Sequence, residues 1–155
     1  YSSAASDVYK RQQIDHDENA VSIHVRRGDY LEPKYWKTTG CVCQLPYYLN
    51  AIAEMNKRIS QPSYYVFSDD IAWVKENLPL PKAFFIDWNK GAESWQDMML
   101  MSRCRHHIIC NSTFSWWGAW LNPRENKTVI MPERWFRHCE TPDICPDKWI
   151  KVPIN

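Results

Sequence analysis

Two adjacent arginines end an apolar run near the start of the sequence, in the stretch AVSIHVRRGDY. Because side chains alternate along a strand, His24 and Arg26 share one face while Arg27 points to the other. A guanidinium is always charged and binds a phosphate through two parallel hydrogen bonds. Arg26 is therefore predicted to bind a phosphate. Arg27 would either pair with a carboxylate such as Asp29 or contact the same ligand.

The residues after the arginines predict a tight turn, because Gly28 tolerates backbone conformations that other residues avoid. Two other interpretations of this stretch exist. It could be a solvated turn without a ligand, or an adhesive Arg-Gly-Asp tripeptide. A three-residue match occurs often by chance, so the adhesive interpretation is the weakest of the three.

A second candidate site lies in the stretch CNSTFSWWGAW, residues 110–120, where a predicted strand ends and hydroxyl residues open a helix. Free backbone N–H groups at a helix N-terminus, beside Ser112, Thr113 and Ser115, form an anion site. The alternative is ordinary N-capping by Asn111 or Ser112. Phe114 is a further candidate, because its place in the first turn of the helix could put its ring against a sugar or a base. The tryptophans of this helix are predicted to belong to the core: Trp116, Trp117 and Trp120.

Three carboxylates at predicted strand and helix ends are further candidates. Asp97 either completes a capping box with Ser94 or accepts two hydrogen bonds from a base such as guanine. Asp69 and Asp70 either cap the next helix, contact a ribose hydroxyl or bind a metal, and a lone pair of carboxylates makes a poor metal site. No Gly-rich nucleotide motif and no Gly-x-Ser-x-Gly elbow occurs. Two histidines without ligand spacing are predicted to be structural: His106 and His107.

Composition excludes several classes of protein. The 155 residues carry a net charge of +1, which gives no basic surface for nucleic acid, and no apolar stretch reaches the ~20 residues that span a bilayer. Six cysteines lack the spacing of common zinc sites, and we expect reduced, mostly buried thiols of a cytoplasmic protein.

Strands and helices alternate along the chain, which predicts an α/β fold: a Rossmann-like parallel sheet with helices on both faces. The predicted strands are 20–25, 64–68, 83–87, 106–110 and 128–132. The predicted helices are 45–59, 69–78, 94–104 and 112–122. Ligands of such sheets bind beyond the carboxyl ends of the strands, which is where the candidate residues fall.

The first part of the chain, YSSAASDVYKRQ, differs from the rest in composition and is similar to translated adapter sequence at the ends of assembled fragments. We therefore interpret residues 1–12 as a non-native tail and residues 13–155 as one domain, which is expected to be part of a longer protein.

Taken together and in order, HVRRGDY, FSDD, the Asp97 helix with LMSRC, and NSTFSWWGAWL resemble the α-1,2-fucosyltransferases of glycosyltransferase family 11. The resemblance covers about residues 20–135. It implies inverting transfer of L-fucose from GDP-fucose to the 2-hydroxyl of a terminal galactoside, with no metal or other cofactor. It also implies a two-domain enzyme of the GT-B kind, of which this chain is the donor-binding half and the acceptor-side half is absent. The implied partners are GDP-fucose and a galactose-terminated glycan, and the implied location is cytoplasmic or peripheral at the inner membrane.

The same resemblance assigns roles to the candidate residues. Arg26 would hold the β-phosphate of GDP with support from Arg27, and His24 and Asp97 would contact guanine. Residues 112–115 would bind phosphate at their helix end. Asp29 is the candidate general base, and the alternative is that it fixes an arginine.

Two alternative functions stay open at this point. One is another GDP-fucose-dependent enzyme, either an α-1,6- or a protein O-fucosyltransferase. The other is a nucleotide- or glycan-binding fragment without turnover.

Overall fold

The computed structural model describes residues 2–155, which form a six-stranded sheet with helices packed on it. The strands are β1 Ala20–Val25, β2 Ser63–Ser68, β3 Ala83–Ile86, β4 His106–Ile108, β5 Val129–Pro132 and β6 Ile150–Val152. The helices are α1 Ser3–His16, the one-turn α2 Pro33–Tyr35, α3 Leu45–Arg58, α4 Ile71–Asn77, α5 Trp95–Arg103 and α6 Thr113–Trp120. Every pair of neighbouring strands is parallel, in the order β3-β2-β1-β4-β5-β6. The predicted Rossmann-like sheet is confirmed.

Helices cover both faces of the sheet because successive strand residues point to opposite sides. On one face, Val21 and Ile23 of β1 pack in a core with residues of α3 such as Tyr48. On the other face, Tyr65 and Phe67 of β2 pack in a second core with residues of α1 and α5. Burial on both faces explains why the strands are apolar runs rather than alternating ones.

The strand order reverses between β1 and β4, and this places the candidate residues together. The chain proceeds from β1 outward to β2 and β3, then returns to β4 on the other side of β1. Val25 lies opposite Ser68, so β1 and β2 end at the same level of the sheet. A crevice at such a reversal, beyond the carboxyl ends of the strands, is where doubly wound sheets bind ligands.

The C-terminal part of the chain contains a strand that is not among the five predicted ones. Residues 150–152 form a sixth strand, in which Ile150 pairs with Ile130 of β5. The strand has only three residues, of which Lys151 is exposed and its two neighbours are more buried. Three residues are too few for an alternating pattern to be recognised in the sequence.

The tryptophans of α6 are only partly in the core. Trp116 packs with Trp135 and Trp149 in a third cluster, as predicted. The prediction is wrong for Trp117 and Trp120, whose exposed fractions are 47% and 50%. The α6 helix presents one side to the sheet, and these two rings lie on its outer side.

Two expectations from composition can be compared with the structure. All six thiols are free, with Cys43, Cys104 and Cys110 buried and Cys139 exposed, so burial holds for half of them. Among the described residues, no helix has both the length and the apolar character that crossing a membrane requires.

The N-terminal tail, left out of the predicted fold, lies largely in α1. Ile14 of this helix belongs to the core with α5, and Asp7 accepts hydrogen bonds from Trp88 and Asn89. The helix does pack on the domain. Whether residues 1–12 are native to the protein stays a prediction.

Removing residues 1–12 should leave the sheet folded. Asp7 is the only buried residue within residues 2–12, and the truncated chain would keep the buried Ile14. We expect a decrease in Tm of about 5 °C or less by circular dichroism, since little apolar surface is uncovered. A matched truncation that also removes Ile14 should lower Tm further. An unfolded product from the shorter truncation would show that residues 1–12 are part of the domain.

Candidate functional site

A cavity of about 570 Å³ lies beyond the carboxyl ends of β1, β2 and β3 and beside the N-terminus of α6. Five of the predicted site residues line it: His24, Arg26, Asp97, Ser112 and Phe114. The other four predicted residues lie outside its wall: Arg27, Asp29, Thr113 and Ser115. This volume suits a nucleotide-sized ligand.

Arg26 lies between a carboxylate and the start of α6. Its Nε donates to Asp29 Oδ1 at 3.1 Å and its Nη2 to Asp29 Oδ2 at 2.7 Å. Its Nη1 lies 3.5 Å from Ser112 Oγ, at the limit of a hydrogen bond, and its guanidinium packs 4.4 Å from the ring centre of Tyr30. The guanidinium is thus held at the edge of the cavity with one nitrogen directed towards the helix N-terminus.

Asp29 is fully engaged by this arginine. Both carboxylate oxygens accept from Arg26, and this hydrogen bonding holds the pKa of Asp29 below its usual value. A carboxylate with a lowered pKa is a weak base. The arrangement favours the alternative in which Asp29 fixes an arginine over its role as the general base.

Arg27 points to the opposite face, as alternation predicts. Its Nε donates to Asp70 Oδ2 at 3.2 Å, and its guanidinium lies 4.1 Å from the ring centre of Trp73 on α4. The predicted pairing of Arg27 with a carboxylate is confirmed, but the partner is Asp70 rather than Asp29, whose two oxygens both bind Arg26. Arg27 anchors the end of β1 to α4.

Asp69 binds the backbone of the arginine turn, a role that the sequence did not reveal. Its Oδ1 accepts from the N–H of Arg27 and its Oδ2 from the N–H of Gly28, both at 2.8 Å. A Cβ atom on Gly28 would lie 2.7 Å from Asp69 Oδ2, so the residue at this position must be glycine for the carboxylate to approach. The only signal in the sequence is an aspartate directly after the neighbouring parallel strand.

Asp70 performs the capping role that was predicted for the pair. Its Oδ1 accepts from the N–H of Trp73 in the first turn of α4 at 3.1 Å. Since its Oδ2 binds Arg27, both oxygens have partners. Within residues 2–155, no group of three histidine, cysteine, aspartate or glutamate side chains is placed to hold a metal ion.

The N-terminus of α6 faces Arg26. Ser112 occupies the N-cap position but its side chain accepts no capping hydrogen bond, which leaves its hydroxyl near Arg26. Ser112 and Ser115 are buried, while Thr113 is exposed. Ser115 Oγ donates to Ser112 O, a hydrogen bond within the helix turn. Of the four residues predicted to bind phosphate or sugar, Ser112 and Phe114 are the ones that reach the cavity.

His24 is a neutral side chain in the cavity wall. Burial and the nearby charge of Arg26 lower its pKa to about 3. Its Nδ1 lies 3.3 Å from Cys110 Sγ, and its ring lies 5.8 Å from that of Phe114. A neutral imidazole beside an aromatic ring can bind a base edge through a hydrogen bond. His107, by contrast, is buried between Ser22 and Asn122, which confirms its structural role.

Asp97 is not part of a capping box. Ser94 Oγ donates to Gly91 O instead of capping α5, and Asp97 Oδ1 accepts from Asn89 Nδ2 at 2.8 Å. Burial raises the pKa of Asp97 to about 6. Because the folded state then holds the proton more tightly than the unfolded chain, the contribution of Asp97 to stability is lost as pH rises through about 6. A partly buried carboxylate that opposes folding at neutral pH is typical of a binding site.

A family model described as "Glycosyl transferase family 11" matches residues 4–152. Among curated relatives, an alpha-1,2-colitosyltransferase of Escherichia coli is 38% identical over 86% of this chain and 48% of its own length. The O-antigen biosynthesis glycosyltransferase WbnK of Escherichia coli is 36% identical over 94% of this chain and 48% of its own length. The chain therefore spans about half the length of these relatives.

Two more distant matches are named as fucosyltransferases. A galactoside alpha-(1,2)-fucosyltransferase 1 of Saimiri boliviensis boliviensis is 35% identical over 65% of this chain and 28% of its own length. The crystal structure of the fucosyltransferase NodZ from Bradyrhizobium superposes with a TM-score of 0.57 at 19% identity, over 83% of this chain and 43% of NodZ. At that identity the match concerns the fold, which is GT-B-like. The family match over nearly the whole chain, joined to a cavity lined by the residues of the family motifs, shows that this chain belongs to glycosyltransferase family 11.

Proposed function

We propose that this chain is the donor-binding part of an α-1,2-fucosyltransferase. It would bind GDP-fucose in the cavity, and the longer protein would transfer fucose with inversion to the 2-hydroxyl of a terminal galactoside. The observation that carries the proposal is the convergence of Arg26, the N-terminus of α6 and the partly buried Asp97 on one cavity. The names of the relatives support the α-1,2 linkage over the α-1,6 and protein O-linked alternatives.

Arg26 and α6 would bind the diphosphate. In the transfer, the bond between fucose C1 and the β-phosphate oxygen breaks and the galactoside O2–C1 bond forms, so negative charge grows on the departing GDP. A guanidinium and free helix N–H groups are fixed positive groups that stabilise such a charge. These donors belong to the chain itself, which is why we propose that the reaction needs no metal.

Asp29 would then be a positioning residue. It holds the Arg26 guanidinium in place through two hydrogen bonds, and a positioned donor stabilises charge without further rearrangement. The proton of the acceptor hydroxyl must be taken by a group on the face of the fucose opposite GDP. Because Asp29 is bound to Arg26, we assign that proton transfer to another group.

His24, Phe114 and Asp97 would bind the base. Guanine carries two N–H donors on its Watson–Crick edge, and a carboxylate is the acceptor that matches both of them. Adenine presents a single amino donor and a ring nitrogen acceptor on the same edge, which faces a carboxylate unfavourably. The pocket is therefore expected to select guanine nucleotides through Asp97, while the ring of Phe114 packs against the base or the sugar.

The chain should bind GDP without an added metal. It should bind ADP at least about tenfold more weakly, because the adenine edge would place a ring nitrogen acceptor against the Asp97 carboxylate, where guanine places an N–H donor. Titration calorimetry with GDP and ADP, with and without a chelator, tests this. Binding that requires Mg²⁺ or Mn²⁺, or equal affinity for the two nucleotides, would contradict the proposal. Transfer assays on this chain and on a parent with the acceptor half would separate an enzyme from a binding fragment.

Arg26→Lys should weaken GDP binding by about tenfold or more, because lysine keeps the charge but loses the planar pair of donors. In a longer parent, turnover should fall by roughly a hundredfold or more. Calorimetry and a transfer assay measure these effects, with folding checked by circular dichroism.

Arg58→Lys is the matched control for this variant. Arg58 lies on α3 in an exposed pair with Glu54, away from the cavity, and the change should leave both values unaltered. Near-equal GDP affinity in a folded Arg26→Lys variant would exclude the diphosphate role.

A further inference from the structure

Asn89 is a buried polar residue in the wall of the cavity that no sequence motif singled out. It follows β3 by three positions, its exposed fraction is 8%, and it lines the cavity together with Asp97. Its Nδ2 donates to Asp97 Oδ1 at 2.8 Å and to Asp7 Oδ1 at the same distance. The side chain thus directs both of its N–H groups at carboxylates.

The orientation of the amide is determined by its neighbours. Both partners of Nδ2 are carboxylate oxygens, so a rotated amide would place its own oxygen against acceptors. In the observed orientation Asn89 Oδ1 is buried and has no hydrogen-bond partner among the described residues. A buried acceptor without a partner opposes folding, which is unexpected for a residue whose only role is to stabilise the turn.

The hydrogen bond from Asn89 occupies one lone pair of Asp97 Oδ1, which leaves the second lone pair of Oδ1 and the whole of Oδ2 for the two N–H donors of a base. We propose that Asn89 is a positioning and selectivity residue: it orients the Asp97 carboxylate and keeps it an acceptor, so that the carboxylate binds the N–H donors of guanine. The proposal rests on the proposed function, in which this cavity holds GDP.

The ionisation of Asp97 supports this role. Burial raises its pKa to about 6, and the hydrogen bond from Asn89 acts in the opposite direction. The charged groups around it come from several elements. They are Asp7 on α1, Arg26 after β1, Asp69 after β2, and Asp87 and Lys90 after β3, with the neutral His24 beside them. Asp7 raises the pKa of Asp97, so it cannot replace Asn89.

Asn89→Ala removes the donor. The pH at which GDP affinity falls by half should rise by about one unit from the value near 6 in the unmodified chain. Because the ionised fraction of Asp97 falls, the preference for GDP over ADP should decrease about twofold at pH 7 and about fivefold at pH 6. The affinity for inorganic pyrophosphate, which reports the Arg26 end of the cavity, should not change. Calorimetry between pH 5 and 8 on the full chain measures all three.

Asn89→Asp should change the dependence of GDP affinity on pH in a different way, with a loss of affinity at high pH. An aspartate at this position donates to Asp97 only while the pair shares a proton, so GDP affinity should pass through a maximum and fall at high pH. The unmodified chain should instead keep its full affinity there. A substitution that only loosened the turn would not reverse the dependence on pH.

Asn122→Ala is the matched control. Asn122 is also buried, and it donates to Cys104 O outside the cavity. This variant should have a lower Tm but the same preference for GDP over ADP and the same dependence of GDP affinity on pH. If both Asn89 variants keep the selectivity and the profile of the unmodified chain, the inference is wrong. If the unmodified chain itself does not prefer GDP to ADP, the proposed function fails instead.

Discussion

The site depends on one carboxylate that binds the backbone of a neighbouring strand end. Asp69, directly after β2, accepts the N–H groups of Arg27 and Gly28 directly after β1. These two hydrogen bonds fix where the β1 strand ends and the turn begins. Once the backbone is fixed, alternation directs the Arg26 side chain to the cavity and the Arg27 side chain to α4. The arginine that we propose to bind the ligand is thereby separated from the one that anchors the strand.

Each arginine of this turn is paired with its own carboxylate. Arg26 is paired with Asp29 and Arg27 with Asp70, so that each guanidinium has a fixed direction before any ligand arrives. In the same cavity, Asp97 has an amide partner rather than a cation. A cationic end and an acceptor end in one cavity of about 570 Å³ correspond to the two ends of a nucleoside diphosphate.

Much of this arrangement could be predicted from the sequence, because it depends on local patterns. The β-branched run before the arginines defined β1, and the two-residue period placed His24 with Arg26. Because parallel strands end at the same edge of a sheet, Ser112 could be expected near Arg26, although 86 positions separate them in the sequence. The Asp70 cap followed from its place just before an amphipathic stretch.

The remaining features depend on which of several possible hydrogen-bond or strand partners a residue takes, and the sequence alone does not determine this. Ser94 could accept a hydrogen bond from a backbone N–H at the start of α5 or donate one to Gly91 O, and in the structure it donates to the carbonyl. Asp69 could cap a helix or bind a turn 42 positions away, and only the packing of β2 beside β1 decides. Asn89 has no motif around it. The short β6 gains its strand conformation from pairing with β5 rather than from its own three residues.

The most direct test of this account is the ratio of GDP to GMP affinity in Asp69→Asn, since that ratio isolates the β-phosphate contact. An asparagine keeps one acceptor but places an NH₂ group against a backbone N–H, so the turn should lose its fixed geometry without losing the sheet. The account predicts a decrease of about tenfold in the ratio, in a variant whose circular dichroism is unchanged. An unaltered ratio in the folded variant would contradict the claim that Asp69 holds the arginine turn in position to bind the diphosphate.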